Sequence, residues 1–155
     1  RSTLFPYTTL FRSRTGKLQE NKDEQIAAIA TKSLKEITYH LRWSSEWIVR
    51  LGDGTEESHK RMIKAIDTLW NYTDELFIPA DYELQLVNNR VIPDVTQLKE
   101  NWLQKVNEVF VEATLSIPAS SLSFTGGKQG KHSEHLDLVL RELQSVARAH
   151  PAASW

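Results

Sequence analysis

The stretch NKDEQIAAIATKSLKEITYHLRWSSEWIVRL, residues 21–51, decides the fold. Apolar side chains recur at Ile26, Ala30, Leu34, Ile37, Leu41, Ile48 and Leu51, the three-and-four spacing that lines one face of an α-helix. Asp23 and Glu24 put negative charge at its start and Arg50 puts positive charge near its end, while Gly52 reads as a left-handed stop. At about 1.5 Å per residue such a helix is about 45 Å long, and helices of that length belong to bundles.

Downstream, Gly52-Asp53-Gly54 is a tight connection and Thr55 is the expected cap of a second helix, with Glu56 and Glu57 behind it. Met62, Ile66, Leu69, Trp70, Thr73 and Phe77 form its apolar stripe, and Pro79 ends it. So short a loop predicts antiparallel neighbours. Residues 82–87 are open between a short strand and a helical turn. A third helix is expected from an Asp94 cap, striped by Val95, Leu98, Trp102, Val106, Val109 and Ala113 and stopped by Pro118. A Ser- and Gly-rich loop, 116–131, precedes a fourth helix over 132–149, with Leu136, Val139, Leu140, Leu143, Val146 and Ala147 expected to face inward. The fold class that follows is all-α, a helical bundle.

Residues 1–13, RSTLFPYTTLFRS, show no helical or strand period and repeat Thr-Leu-Phe. They resemble a translated sequencing adapter. That reading assigns 1–13 to an artefact, sets them outside the fold and makes residues 14–155 the genuine chain.

Composition narrows the functional classes. The sequence has 155 residues, 40% hydrophobic and 25% charged, the balance of one globular domain. A formal charge of −1 offers no basic footprint for nucleic acid. No apolar run approaches the roughly 18 residues of a membrane span. With no cysteine, disulfides and thiolate metal sites are excluded, and the chain is compatible with a reducing cytoplasm.

The first helix carries a second stripe of Ile29, Glu36, His40, Trp43 and Trp47, so it is expected to be covered on two sides. A carboxylate and an imidazole on one helix face suit a di-iron centre, and Glu36 with His40 is the candidate pair. The position opposite, however, is Asp67-x-x-Trp70, and Trp ligates no iron. Glu36 and His40 are therefore expected as a buried polar pair, or paired with Lys or Arg, and Glu36, His40, Asp67 and Trp70 as degenerate metal positions. The Glu56-x-x-His59 pair reads as a solvated helix start. His132-Ser133-Glu134-His135 has histidines at zinc-binding spacing but no evident third ligand. Gly126-Gly127-Lys128-Gln129-Gly130 lacks the P-loop pattern. No nucleophile-and-base pair stands out.

Four runs carry a family resemblance. YHLRWSSEWIVRLGDGTEESHKRM (39–62), Glu112-Ala113-Thr114-Leu115, GGKQGKHSEHL (126–136) and the ending AHPAASW (149–155) together resemble the C-type subunit family of ring-1,2-phenylacetyl-CoA epoxidase, in the same order. The resemblance covers residues 14–155 and corresponds to the later part of the family's length, so a ferritin-like bundle incomplete at its N-terminus is expected. It implies a structural, non-catalytic subunit without a metal site or other cofactor of its own. Its implied partners are an A-type catalytic subunit that holds the di-iron centre and a flavin and iron–sulfur reductase. The complex so formed would epoxidise the ring of phenylacetyl-CoA in aerobic phenylacetate breakdown. Trp43, Trp47, Lys128, His132, Glu134 and His135 are the interface candidates. The alternatives are a di-iron oxidase or oxygenase with its own site, and a stand-alone ferritin-like binding protein.

Overall fold

The computed structural model describes residues 4–119 and 122–154. Among them the chain is all-α and contains no strand. Arg1, Ser2 and Thr3 of the expected artefact, Ser120 and Ser121 of the expected loop, and Trp155 of the family-like ending lie outside the described residues.

Helix α1 (Leu4–Leu18) forms where no period was expected. Its buried positions include Phe5 and Leu10 but also Thr8, Thr9 and Thr15. A threonine scores as polar in a periodicity test, yet it buries at little cost once its hydroxyl is satisfied on the preceding turn. Thr9 Oγ1 does this, donating to Phe5 O at 2.9 Å. Phe5 packs on Phe110 with ring centroids 6.4 Å apart.

Helix α2 (Glu24–Gly52) is the long element anticipated, and Asp23 is its N-cap, accepting from Gln25 N at 2.9 Å and Ile26 N at 3.2 Å. It buries Ala30, Leu41, Ser44 and Ile48. Gly52 is not the left-handed stop, since positive φ among the glycines occurs only at Gly126 and Gly130. Gly52 is instead a point of close approach: a Cβ there would lie 2.5 Å from Ala113 O and 2.9 Å from Leu115 Cδ1.

Helix α3 (Glu56–Leu69) starts on Thr55, whose hydroxyl accepts from Ser58 N at 3.2 Å. The single helix expected as far as Pro79 breaks into 3-10 turns at Trp70–Tyr72 and Asp74–Phe77. Thr73 Oγ1 donates to Trp70 O at 2.7 Å, a side-chain bond that competes with the α-helical ladder.

The ambiguous stretch is helix α4 (Asp81–Asn88). Glu83 is buried; its Oε2 accepts from Ala80 N at 3.0 Å and its Oε1 lies 3.6 Å from Arg14 Nη2. Glu83→Ala removes both, and a stability loss of about 2 kcal/mol is expected in urea unfolding. Glu83→Gln is expected to lose less, because an amide oxygen still accepts from Ala80 N. Arg90, at φ 58°, closes the helix, with Val91 N donating to Leu86 O at 2.9 Å.

Asp94 caps a 3-10 turn, Val95–Leu98, which leads into helix α5 (Lys99–Glu112). The expected stop at Pro118 comes earlier: Thr114 turns left-handed at φ 56° and Leu115 N donates to Phe110 O at 2.8 Å. The core joins Leu41 and Ile48 of α2, Met62 of α3, Phe77, Leu98 and the α5 residues Trp102, Val106, Val109 and Phe110.

Residues 125–155 form a second compact unit. Left-handed Gly126 and Gly130 frame a 3-10 turn, Gly127–Gln129. The helix expected over 132–149 begins later, as α6 (His135–Leu143), and breaks at Gln144 before α7 (Ser145–Ala149). The break coincides with Ser145, whose hydroxyl donates back to Glu142 O at 2.8 Å. Leu136 and Leu140 are half-buried, but Val139, Leu143 and Val146, expected to face inward, are exposed. Their stripe has helical spacing, and among the described residues it lies open.

Candidate functional site

The face of α2 opposite its buried stripe is the most distinctive surface among the described residues. Ile29, Tyr39, Trp43 and Trp47 are exposed along it, with Trp43 36% and Trp47 43% accessible. The two indoles meet edge to face with centroids 6.2 Å apart, and the Arg50 guanidinium lies 5.7 Å from the Trp47 ring. Tyr39 and His40 form another edge contact at 5.9 Å. Beside them Arg42 donates to Glu46 Oε1 at 2.8 Å, and this bond holds the Glu46 carboxyl below its ordinary carboxylate value.

Glu36 and His40 lie on this exposed surface and are not the buried polar pair expected. The amphipathic pattern correctly separates the faces, but the second face is open rather than covered. Asp67 is exposed in a shallow hollow with its own-helix neighbours Lys60, Ile63, Lys64 and Thr68. Trp70 points the other way, into the core, its ring tilted against Trp102 at 5.7 Å and Phe110 at 6.0 Å. The four degenerate positions therefore share no centre, and these residues do not fit a di-iron site. Among the described residues, no three histidine, aspartate or glutamate side chains gather to hold a metal.

His59 has a role that its sequence position does not suggest. Expected in a solvated turn, it is half-buried, and its Nδ1 lies 2.6 Å from Gly52 O. A carbonyl only accepts, so Nδ1 carries the proton. Thr114 Oγ1 donates to the same carbonyl at 3.4 Å. Gly52, His59 and Thr114 thus tie the end of α2 to the start of α3 and the end of α5. Glu56 does not join them; it pairs with Lys60. The only sequence signal was the short Gly52–His59 spacing, which carries no information about Thr114.

In the second unit His132, Glu134 and His135 are exposed and Lys128 is half-buried. No helix among the described residues is long and apolar enough to cross a membrane.

Known proteins share this sequence over most of its length. The family described as "Phenylacetic acid catabolic protein" matches residues 4–155. An Escherichia coli (strain K12) protein, named as the C subunit of 1,2-phenylacetyl-CoA epoxidase, is 40% identical over 139 residues, covering 90% of this chain. The chain spans about half of that relative's length, 56%. The family fold is ferritin-like, in keeping with the all-α structure. The chain belongs to the phenylacetic acid catabolic protein family.

Proposed function

We propose that this chain serves as a structural, non-catalytic subunit of a cytoplasmic phenylacetyl-CoA epoxidase complex. In this reading it braces an A-type catalytic subunit that holds the di-iron centre, and a reductase component supplies electrons. The match to a relative named as the C subunit of that epoxidase supports the assignment. The observation that carries the non-catalytic role is Trp70. In place of a donor, an indole packs there against Trp102 and Phe110, so hydrophobic contact occupies the interior position where a ligand would be needed.

The exposed aromatic face of α2 is the docking surface of choice. Trp43 and Trp47 carry large apolar area with little side-chain entropy to lose, the profile of an interface anchor. Lys128, His132, Glu134 and His135 are candidate polar contacts of the second unit. The test is co-expression of the intact gene with its catalytic partner. One co-migrating complex is expected, and Trp47→Ala within it should weaken association by about 2 kcal/mol, roughly 30-fold in Kd. Two independently migrating proteins would refute the subunit role. An unchanged affinity would remove Trp47 from the interface.

A further inference from the structure

A cavity of about 420 Å³ opens between α1, α2, α3 and α5. Its walls are Ile48, Met62, Ile66, Leu69, Trp70 and Phe110. Ile48, Met62 and Phe110 belong to the buried core, while Leu69 and Tyr72 stand at an exposed rim, so the cavity leads from the surface to the aromatic cluster. Close-packed interiors leave few voids larger than a water molecule, and this one has the size of a small-ligand pocket.

The chemistry of the walls selects the occupant. Among the lining residues the one side chain charged at neutral pH is Glu75, a carboxylate. Among the described residues no lysine, arginine or histidine lines the space to neutralise a carboxylate or phosphate on a ligand. Thr73 Oγ1 already donates its proton to Trp70 O, and the other polar groups among the lining residues are the Tyr7 and Tyr72 hydroxyls, the Trp70 indole N–H and the Glu75 carboxylate. The rest of the lining, Phe5, Ile48, Met62, Ala65, Ile66, Leu69 and Phe110, is hydrocarbon, the predominantly apolar wall with a few polar groups that suits an apolar small ligand. We propose that this cavity is a binding site for small, neutral, hydrophobic molecules of about one ring, and that it excludes their anionic analogues. The site is separate from the α2 docking face and does not depend on the subunit reading.

The chain supplies its own reporter. Met62 is its single methionine and lines the cavity, so the methyl signal of a methionine-labelled sample reads this site alone. Titration with toluene is expected to shift that signal saturably and to raise the Tm; benzoate, of similar shape but charged, is expected to do neither. Ala65→Leu projects three more carbons into the space and should weaken toluene binding at least roughly tenfold, with cooperative melting retained as the check on folding. Leu69→Trp, at the exposed rim, obstructs the mouth without entering the core and should slow or abolish the shift. An unmoved Met62 signal with toluene, an equal response to benzoate, or undiminished binding by a folded Ala65→Leu variant would each overturn the proposal.

Discussion

Trp102→Ala is expected to cost this chain about 3–5 kcal/mol of folding stability, the range for truncating a buried aromatic. Trp102 is 2% exposed, and three features set the size of the effect. Its ring meets Phe77 edge to face at 5.0 Å and Trp70 at 5.7 Å, so truncation removes two aromatic contacts along with the buried area. It sits on α5, whose buried face also carries Val106, Val109 and Phe110, so the cavity borders residues that cannot collapse without moving the helix. Finally, Trp70, which lines the open cavity, loses the indole it packs against. Urea unfolding followed by near-ultraviolet dichroism measures the loss, with a Tm drop of roughly 6–20 °C as the thermal counterpart. Trp102→Phe keeps an aromatic ring and should recover much of the difference. A loss below about 1 kcal/mol for the alanine variant would show that the aromatic cluster does not organise the core.

The parts of the fold legible in the sequence are those whose causes are local. α2 follows from its apolar spacing, and Asp23, Thr55 and Asp94 act as caps because a short oxygen-bearing side chain reaches its own helix start. The elements misread depend on distant partners or on polar groups that bury. α1 was invisible because threonines share its buried stripe with Phe5 and Leu10. The break after Leu69 arises from side-chain bonds that hydrophobic spacing does not encode. For the candidate site, periodicity put Glu36, His40, Trp43 and Trp47 on one face, and they share it. Periodicity does not say whether that face is covered, and the expectation of a buried Glu36–His40 pair failed on that point. Spacing also placed Asp67 and Trp70 as a matched pair, whereas one faces solvent and the other the core. The relation of α2 and α3 to neighbours far along the chain sets these directions, and no local pattern reports it.

Gly52 shows the same distinction and can be tested by the order in which substitutions are tolerated. Were it a left-handed cap, asparagine would be the mildest replacement, since asparagine enters that region most readily after glycine. The structure assigns it a different burden. Gly52 has no positive φ, and a methyl group on it would meet Ala113 O at 2.5 Å and Ala113 Cβ at 2.9 Å. The first of these is backbone, which cannot rotate away, so the end of α5 must retreat. Retreat strains the Thr114 hydrogen bond to Gly52 O and the His59 bond to the same carbonyl. Gly52→Ala gains about 1 kcal/mol of helix propensity and loses about 1–3 kcal/mol to overpacking, so a net loss near 1 kcal/mol is expected. Bulk adds to the clash without adding propensity, so Gly52→Asn should cost more than alanine and Gly52→Val about 3 kcal/mol or more. Urea midpoints for the three variants decide between the two roles. An asparagine variant more stable than the alanine variant would restore the left-handed cap and remove the close approach between α2 and α5 as the reason for glycine.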